Sequence, residues 1–511
     1  MINPGLLTRL QNISDRPLTV TFFATLTGMT VGGTCALVFF SLNPIWMLLV
    51  PLCALMVLPA FILKDVPSYW LALLLFSLQF NLKKNLIDPL PFINAYGRFP
   101  PYVFVPEIYI SDLVFIILLV YWLHSAFLRQ KQFYFPPASW LAIGFLGWAA
   151  LSMLKATDSY LSVLELVHQC KFFLIYLYAA NNLGSKRSLK VICLVLLSTL
   201  VLQGMITVIR YKLQYYEPIL GEALGRTDTL AGETEQLIID PSVGDMKLSF
   251  GTLNPVTMGK CLLLILPLSL LLCAKNPIFA IRWIFIPITL IGIAGLFLTY
   301  SRTNFIAFGA ELVLCFYFAV KRGYLSQKMA LLWLFVAAFG GLALTPKVYD
   351  YMDRKNENVE IRLAQYDTAF SMFRSNPLLG VGLNNNLIAS HAYNKESYSP
   401  TSLSQHANDH PIHSFYLSLL VETGIVGFIL YLAFFFGICR ETVRLARAPS
   451  PQIRFASTFI LIALVGLGVG ILFNPLFEDA VLTIVWLFAG LSMALGRSVP
   501  WTTTENGRTE N

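Results

Sequence analysis

Charge is what this sequence has least of. Asp, Glu, Lys and Arg make up 13% of the 511 residues, where soluble globular domains carry about 25%. With 56% of residues hydrophobic, there is too little polar surface to cover the chain in water, which excludes a soluble enzyme and leaves a polytopic membrane protein. The long polar stretches hold no cysteine. Cys35, Cys53, Cys170, Cys193, Cys261, Cys273, Cys315 and Cys439 all lie within or at the edge of apolar runs, without paired metal spacing. That argues against a disulfide framework and against zinc. The opening lacks the basic stretch, short apolar run and small-residue cleavage site of a removable signal peptide. No internal repeat is visible, and no low-complexity tract precedes the polar tail after Trp501. The formal charge of +8 is modest and sits mostly in short loops, so it reads as an orientation signal and not as a nucleic-acid surface.

What is present is a long series of apolar runs. A hydrocarbon core about 30 Å thick takes roughly 20 apolar residues per helix. The sequence therefore predicts an all-α polytopic membrane protein of about fourteen transmembrane helices with a large extracytoplasmic helical loop. The spans fall near 19–40, 44–63, 68–80, 108–127, 138–154, 160–180, 190–210, 255–274, 281–299, 303–320, 329–345, 413–438, 455–473 and 480–496. The third is short and is either paired with its neighbour or re-entrant. Basic residues concentrate in alternate loops, among them Arg9, Arg16, Lys64, Arg129, Lys131, Lys186, Arg187, Lys321, Arg322, Arg440, Arg444 and Arg497. The positive-inside rule then puts both termini in the cytoplasm and the longer loops 81–107, 211–254 and 346–412 outside. The expected organisation is an N-terminal bundle over 1–254, further spans over 255–345, an external loop over 346–412, C-terminal spans over 413–496 and a cytoplasmic tail over 497–511.

Each external loop has its own character. Pro89, Pro91, Pro100, Pro101 and Pro106 give the first the stiffness of a cover or interfacial lid. The second carries Glu217, Glu222, Asp228, Glu233, Glu235, Asp240 and Asp245, spread as on a solvated face more than clustered as ligands. The third is the longest polar interval and, with the residue that closes it, holds four of the six histidines: His391, His406, His410 and His413. Within it Leu363, Tyr366, Phe370 and Phe373 form one apolar helical stripe, with Arg362, Gln365, Asp367 and Arg374 off it. Asn376-Pro377 ends that helix, and Gly380 and Gly382 permit a tight turn back toward the membrane.

Four separated patches, in order, resemble the O-antigen ligase/polymerase superfamily. They are Phe250-Gly251-Thr252-Leu253-Asn254-Pro255 leading to Leu266-Pro267-Leu268; Tyr300-Ser301-Arg302-Thr303; Arg362 with Asn376-Pro377-Leu378-Leu379-Gly380-Val381-Gly382; and His413-Ser414 through Leu420, Glu422, Gly424 and Gly427. The resemblance implies a metal-independent glycosyltransferase without a cofactor, moving glycan off undecaprenyl pyrophosphate at the outer face of a bacterial inner membrane. It implies an acceptor that is either a second lipid-linked glycan, as for a polymerase, or a terminal lipid A core, as for a ligase. Partners would be these glycans, membrane lipid and other polysaccharide-assembly proteins. Family members often carry an arginine just ahead of the Gly-Thr motif. Here Lys247 stands nearest, with Arg226 well upstream, and Arg210 is another candidate for that cation.

The residue chemistry fits beside the resemblance. A guanidinium stays charged and binds phosphate oxygens in pairs, which suits Arg302 and Arg362 to a diphosphate leaving group. An acceptor hydroxyl needs a base near neutral pH, which suits His413, while His410 is a candidate sugar contact. Blander readings stand next to these: Arg302 snorkelling to headgroups, Arg362 on a solvated face, His413 as a helix-start residue facing water. Glu422 lies nine residues beyond His413, so a straight helix puts it about 13 Å deeper on the opposite face. It is expected to bond within the bundle, and Gly424 and Gly427 to serve close helix packing. A lipid-linked-sugar transporter is the contrasting function, with Lys171, Lys260 and Glu422 as its intramembrane charges. A non-catalytic scaffold for polysaccharide assembly is the third.

Overall fold

A computed structural model describes residues 65–80, 83–87, 105–128, 132–213, 255–275, 279–299, 301–328, 331, 356–393 and 412–498. Thirteen helices run through these residues. They are α1 (Val66–Ser77), α2 (Ile110–Leu128), α3 (Ser139–Ser152), α4 (Ser159–Asn182), α5 (Lys186–Leu213), α6 (Pro255–Lys275), α7 (Phe279–Phe297), α8 (Arg302–Lys321), α9 (Asn356–Ser375), α10 (Asn386–Tyr393), α11 (Phe415–Leu445), α12 (Pro451–Gly470) and α13 (Asp479–Arg497). Eight of them are long and apolar enough to cross a membrane: α2, α4, α5, α6, α8, α11, α12 and α13. Three shorter apolar helices, α1, α3 and the Trp283–Phe297 part of α7, accompany them. The chain is thus a multi-pass, mainly helical membrane protein. The expected spans 19–40, 44–63 and most of 329–345 lie outside the described residues, so the figure of fourteen rests on the sequence.

Among the described residues, the departure from an all-α fold is a short antiparallel pair, β1 (Lys83–Asn85) with β2 (Glu107–Tyr109), in register Lys83↔Tyr109. It joins the two ends of the proline-rich loop, and Lys83 Nζ donates to Glu107 Oε1 at 2.7 Å across it. The chain divides into two units: Met1–Leu74 with Leu113–Gln130, and Leu75–Asp112 with Lys131–Asn511. In the first, the described residues after Asp65 belong to α1 and α2. Every residue of the site below lies in the second.

In that second unit α13 is the central post. Its candidate span is 94% buried, and it packs on α4, α6, α11 and α12. Close approach to α4 is possible because Gly490 has no side chain: a Cβ there would meet the Tyr176 carbonyl oxygen at 2.3 Å. Around it Tyr176, Phe434 and Trp486 interlock, with the Phe434 and Trp486 rings stacked 5.0 Å apart. Such aromatic packing supplies dispersion and shape where no hydrophobic drive separates helix from lipid.

The feature that organises the polar side of the fold is a break in α11. Gly424 adopts φ 65°, ψ −174°, interrupting an otherwise continuous helix. A break at this point strands backbone groups that α-helical bonding would pair, which is costly away from water. The Asn376–Gly382 turn takes them up. Val381 N–H donates to Val421 O (2.9 Å), Gly382 N–H to Glu422 O (3.1 Å), and Ile425 N–H to Pro377 O (2.9 Å). The Trp148 indole N–H of α3 donates to Thr423 O at 3.0 Å. Three glycines make the approach possible: Gly380 at φ +72°, Gly382 at φ +98° and Gly424. Gly424 therefore serves the turn and not helix packing, while Gly427 does face α3, where a Cβ would lie 3.0 Å from Trp148.

Candidate functional site

Three elements bring the expected site residues together. α8 begins at Arg302, and its start is fixed from two sides. Thr303 Oγ1 accepts from the Asn474 amide, and the fully buried Asn304 donates to Val256 O of α6 at 3.3 Å. Gly259 clears the space for that contact, since a Cβ there would fall 1.9 Å from Asn304 Nδ2. α11 begins two residues after His413. Ser414 is its N-cap and accepts from Leu417 N–H at 3.4 Å. Phe415 N–H donates to Ile471 O and Asn474 O, each at 3.1 Å. Asn474 thus ties the first turn of α8 to the first turn of α11, through its side chain on one and its carbonyl on the other. Capping chemistry at both helix starts fixes where Arg302 and His413 emerge.

The third element is α9. Its buried face is Gln365, Thr368, Ala369 and Met372, an i, i+3, i+4, i+7 set. Ala369 and Met372 pack with Val381, Ala389, Ile412 and Val421, flanked by Tyr366 and Phe373. The stripe expected from sequence is therefore turned: Tyr366 and Phe373 do pack inward, but Leu363 and Phe370 point out, 57% and 47% exposed. Gln365, expected off the apolar face, is 3% exposed. It lies on that face because its Oε1 meets His413 Nδ1 at 3.0 Å. The neighbouring Tyr366 hydroxyl donates to the His413 carbonyl at 3.2 Å. One turn back, half-buried Arg362 has its pKa lowered by burial, with Tyr366 opposing and the Arg302 guanidinium adding like-charge repulsion. It stays a cation at neutral pH all the same. α9 thus gathers two guanidinium groups and one imidazole, the set that binds an anionic leaving group and takes up a proton.

Other expected residues fall elsewhere. Arg210 lies in the last turn of α5, while Lys247, His406 and His410 lie outside the described residues. His391 is exposed on α10. Glu422 bonds to the Asn386 side chain of α10, a partner in the polar segment and not another spanning helix. That bond helps hold the polar segment on the broken helix.

Sequence reasoning missed a buried ionic group at the start of α13. Asp479 receives His168 Nε2 at 3.1 Å and Lys171 Nζ from α4. Lys171 also reaches Asp112 at 3.0 Å, and His168 Nδ1 lies 3.4 Å from Glu165. Beside it, Lys260 of α6 pairs with Glu478 and donates to Pro475 O at 2.6 Å. The pairs join residues as far as 311 positions apart, and the only local signal is charge inside apolar runs. Among the described residues, no three His, Cys, Asp or Glu side chains form a metal-ligand set.

Fold and site together define a multi-pass membrane protein with a cationic, histidine-bearing cluster where two helices start beneath a third. Residues 287–432 match the family model described as O-Antigen ligase. Over that stretch, from α7 into α11 and including Arg302, Arg362 and His413, the likeness to the O-antigen ligase/polymerase superfamily stands. The Phe250–Pro255 patch precedes the match. No curated protein matches the chain.

Proposed function

We propose that this chain is an inverting glycosyltransferase that moves glycan from undecaprenyl pyrophosphate to an acceptor sugar hydroxyl, acting as a polysaccharide polymerase. The observation that carries the reading is α9, which within one helical turn sets Arg362 in the electrostatic field of Arg302 and Gln365 against His413. In the reaction the acceptor oxygen attacks the anomeric carbon and forms the new glycosidic bond. The bond from that carbon to the phosphate oxygen breaks, and its electron pair leaves with the lipid diphosphate. The acceptor proton passes to His413. Arg302 and Arg362 bind the diphosphate oxygens and offset the charge that grows on them as the bond breaks. Attack from the opposite face inverts the anomeric centre. Lys247, Arg210 and His410 are candidates for further substrate contacts.

The cluster belongs on the outer face of a bacterial inner membrane, with both termini cytoplasmic, in keeping with the placement of the basic loops. Ligation onto lipid A core uses the same chemistry with a different acceptor. Transport of lipid-linked sugar is disfavoured by pairing: Lys171, Lys260 and Glu422 each have a partner in the bundle. The test is glycan transfer from purified undecaprenyl-pyrophosphate oligosaccharide in detergent with EDTA present. Wild type should transfer, and folded Arg302→Ala and His413→Ala should lose about 100-fold or more. Product length separates polymerase from ligase. Full activity in both variants sinks the site, and transport across vesicles without transfer sinks the enzyme.

A further inference from the structure

We infer that Gln365 is a positioning residue that holds the His413 ring with its proton on Nδ1, leaving Nε2 as the nitrogen that accepts the acceptor proton. The inference deepens the transferase reading and rests on it for its catalytic meaning. The contact is 3.0 Å between Gln365 Oε1 and His413 Nδ1. An amide oxygen only accepts hydrogen bonds, so the ring nitrogen facing it must carry the hydrogen. In a neutral imidazole the lone pair then lies on Nε2. Free histidine favours the opposite tautomer, so a partner is needed to hold this one.

Three further observations support a fixed ring. Gln365 is 3% exposed, so water does not readily replace its oxygen. It extends the buried face of Thr368, Ala369 and Met372. The next residue, Tyr366, donates to the His413 carbonyl at 3.2 Å, so adjacent residues of α9 hold both ring and backbone. The choice of an amide is itself informative. A carboxylate there would stabilise imidazolium, which has no lone pair to receive a proton. A neutral acceptor sets the tautomer without placing a formal charge beside the ring.

Solid-state NMR of the full protein in lipid, labelled with nitrogen-15 histidine, reads the tautomer directly. His413→Asn identifies the resonance among the six histidines. At a pH where the ring is neutral, wild type should show protonated Nδ1 and bare Nε2, and Gln365→Leu should move the signal toward the Nε2–H form. Tyr366→Phe, which removes only the bond to the backbone, should leave the tautomer unchanged. In the transfer assay Gln365→Leu should lower kcat about 10- to 100-fold with KM little changed, and Gln365→Asn should recover less than wild type. A wild-type Nε2–H signal, or a tautomer unmoved by Gln365→Leu, overturns the inference. If Gln365→Leu fails to fold, the wild-type spectrum still decides. The expected tautomer in a protein that transfers no glycan keeps the ring assignment and removes the transferase reading, so the two fail separately.

Discussion

Gly424 of α11 lies directly against Leu378 of the Asn376–Gly382 turn: a Cβ on Gly424 would sit 2.0 Å from the Leu378 carbonyl oxygen. Backbone on one side and backbone on the other leave no side chain able to yield. Gly380 is placed the same way, its Cβ position 2.4 Å from Val421 O and from the Glu422 carbonyl carbon.

Gly424→Ala should therefore destabilise the protein severely. The φ of +65° with ψ −174° is a glycine-only backbone region that costs an alanine about 1–3 kcal/mol, and the overlap with Leu378 adds to it by forcing the turn out of the break. Thermal unfolding of purified protein, followed by size-exclusion chromatography, should show a large drop for Gly424→Ala and Gly380→Ala. Gly147→Ala, with open space around its Cβ position, should melt near wild type. Equal melting of all three would remove the turn from the account.

The ionic group at α13 predicts a marked asymmetry. Breaking a buried pair leaves an uncompensated charge and costs about 3–5 kcal/mol. Lys171→Met or Asp479→Asn alone should each be strongly destabilising. The double variant should recover part of the loss, because the central stranded charge is gone. A double-mutant cycle on unfolding in mild detergent measures this, and additive losses would contradict the pairing.

Asn474 should matter beyond its size. Asn474→Leu keeps the carbonyl that Phe415 uses but removes the amide that holds Thr303. Leaving a buried hydroxyl short of its partner costs about 1–3 kcal/mol. Transfer should fall along with stability, since Arg302 is the residue next to Thr303. A variant that melts lower while keeping full kcat would show that the α8 start tolerates movement.

Much of the helical frame is legible in the sequence because spans announce themselves by length and hydropathy. The expected runs 160–180, 255–274 and 480–496 match α4, α6 and α13 within a few residues. The turn after α9 is legible too, through Asn376-Pro377 and its glycines. What escapes is whatever depends on distant partners. Gln365 looks like a solvated position until His413, 48 residues on, faces it. A run as apolar as 413–438 carries no mark of a break, since Gly424 acquires its φ only when residues 377–382 come back to bond with it. The turned stripe of α9 has the same cause. A four-residue apolar pattern cannot tell which half turns inward until the neighbouring cluster around Val381 and Val421 is known.

The stitched break also changes what chain continuity is for. Three backbone bonds and the Glu422–Asn386 contact hold the 376–393 segment on α11 whether or not the peptide between Tyr393 and Ile412 is intact. A nick placed in that interval should leave both pieces copurifying as one body. The turn then acts as a clasp that keeps its own helix in place after the covalent link is lost.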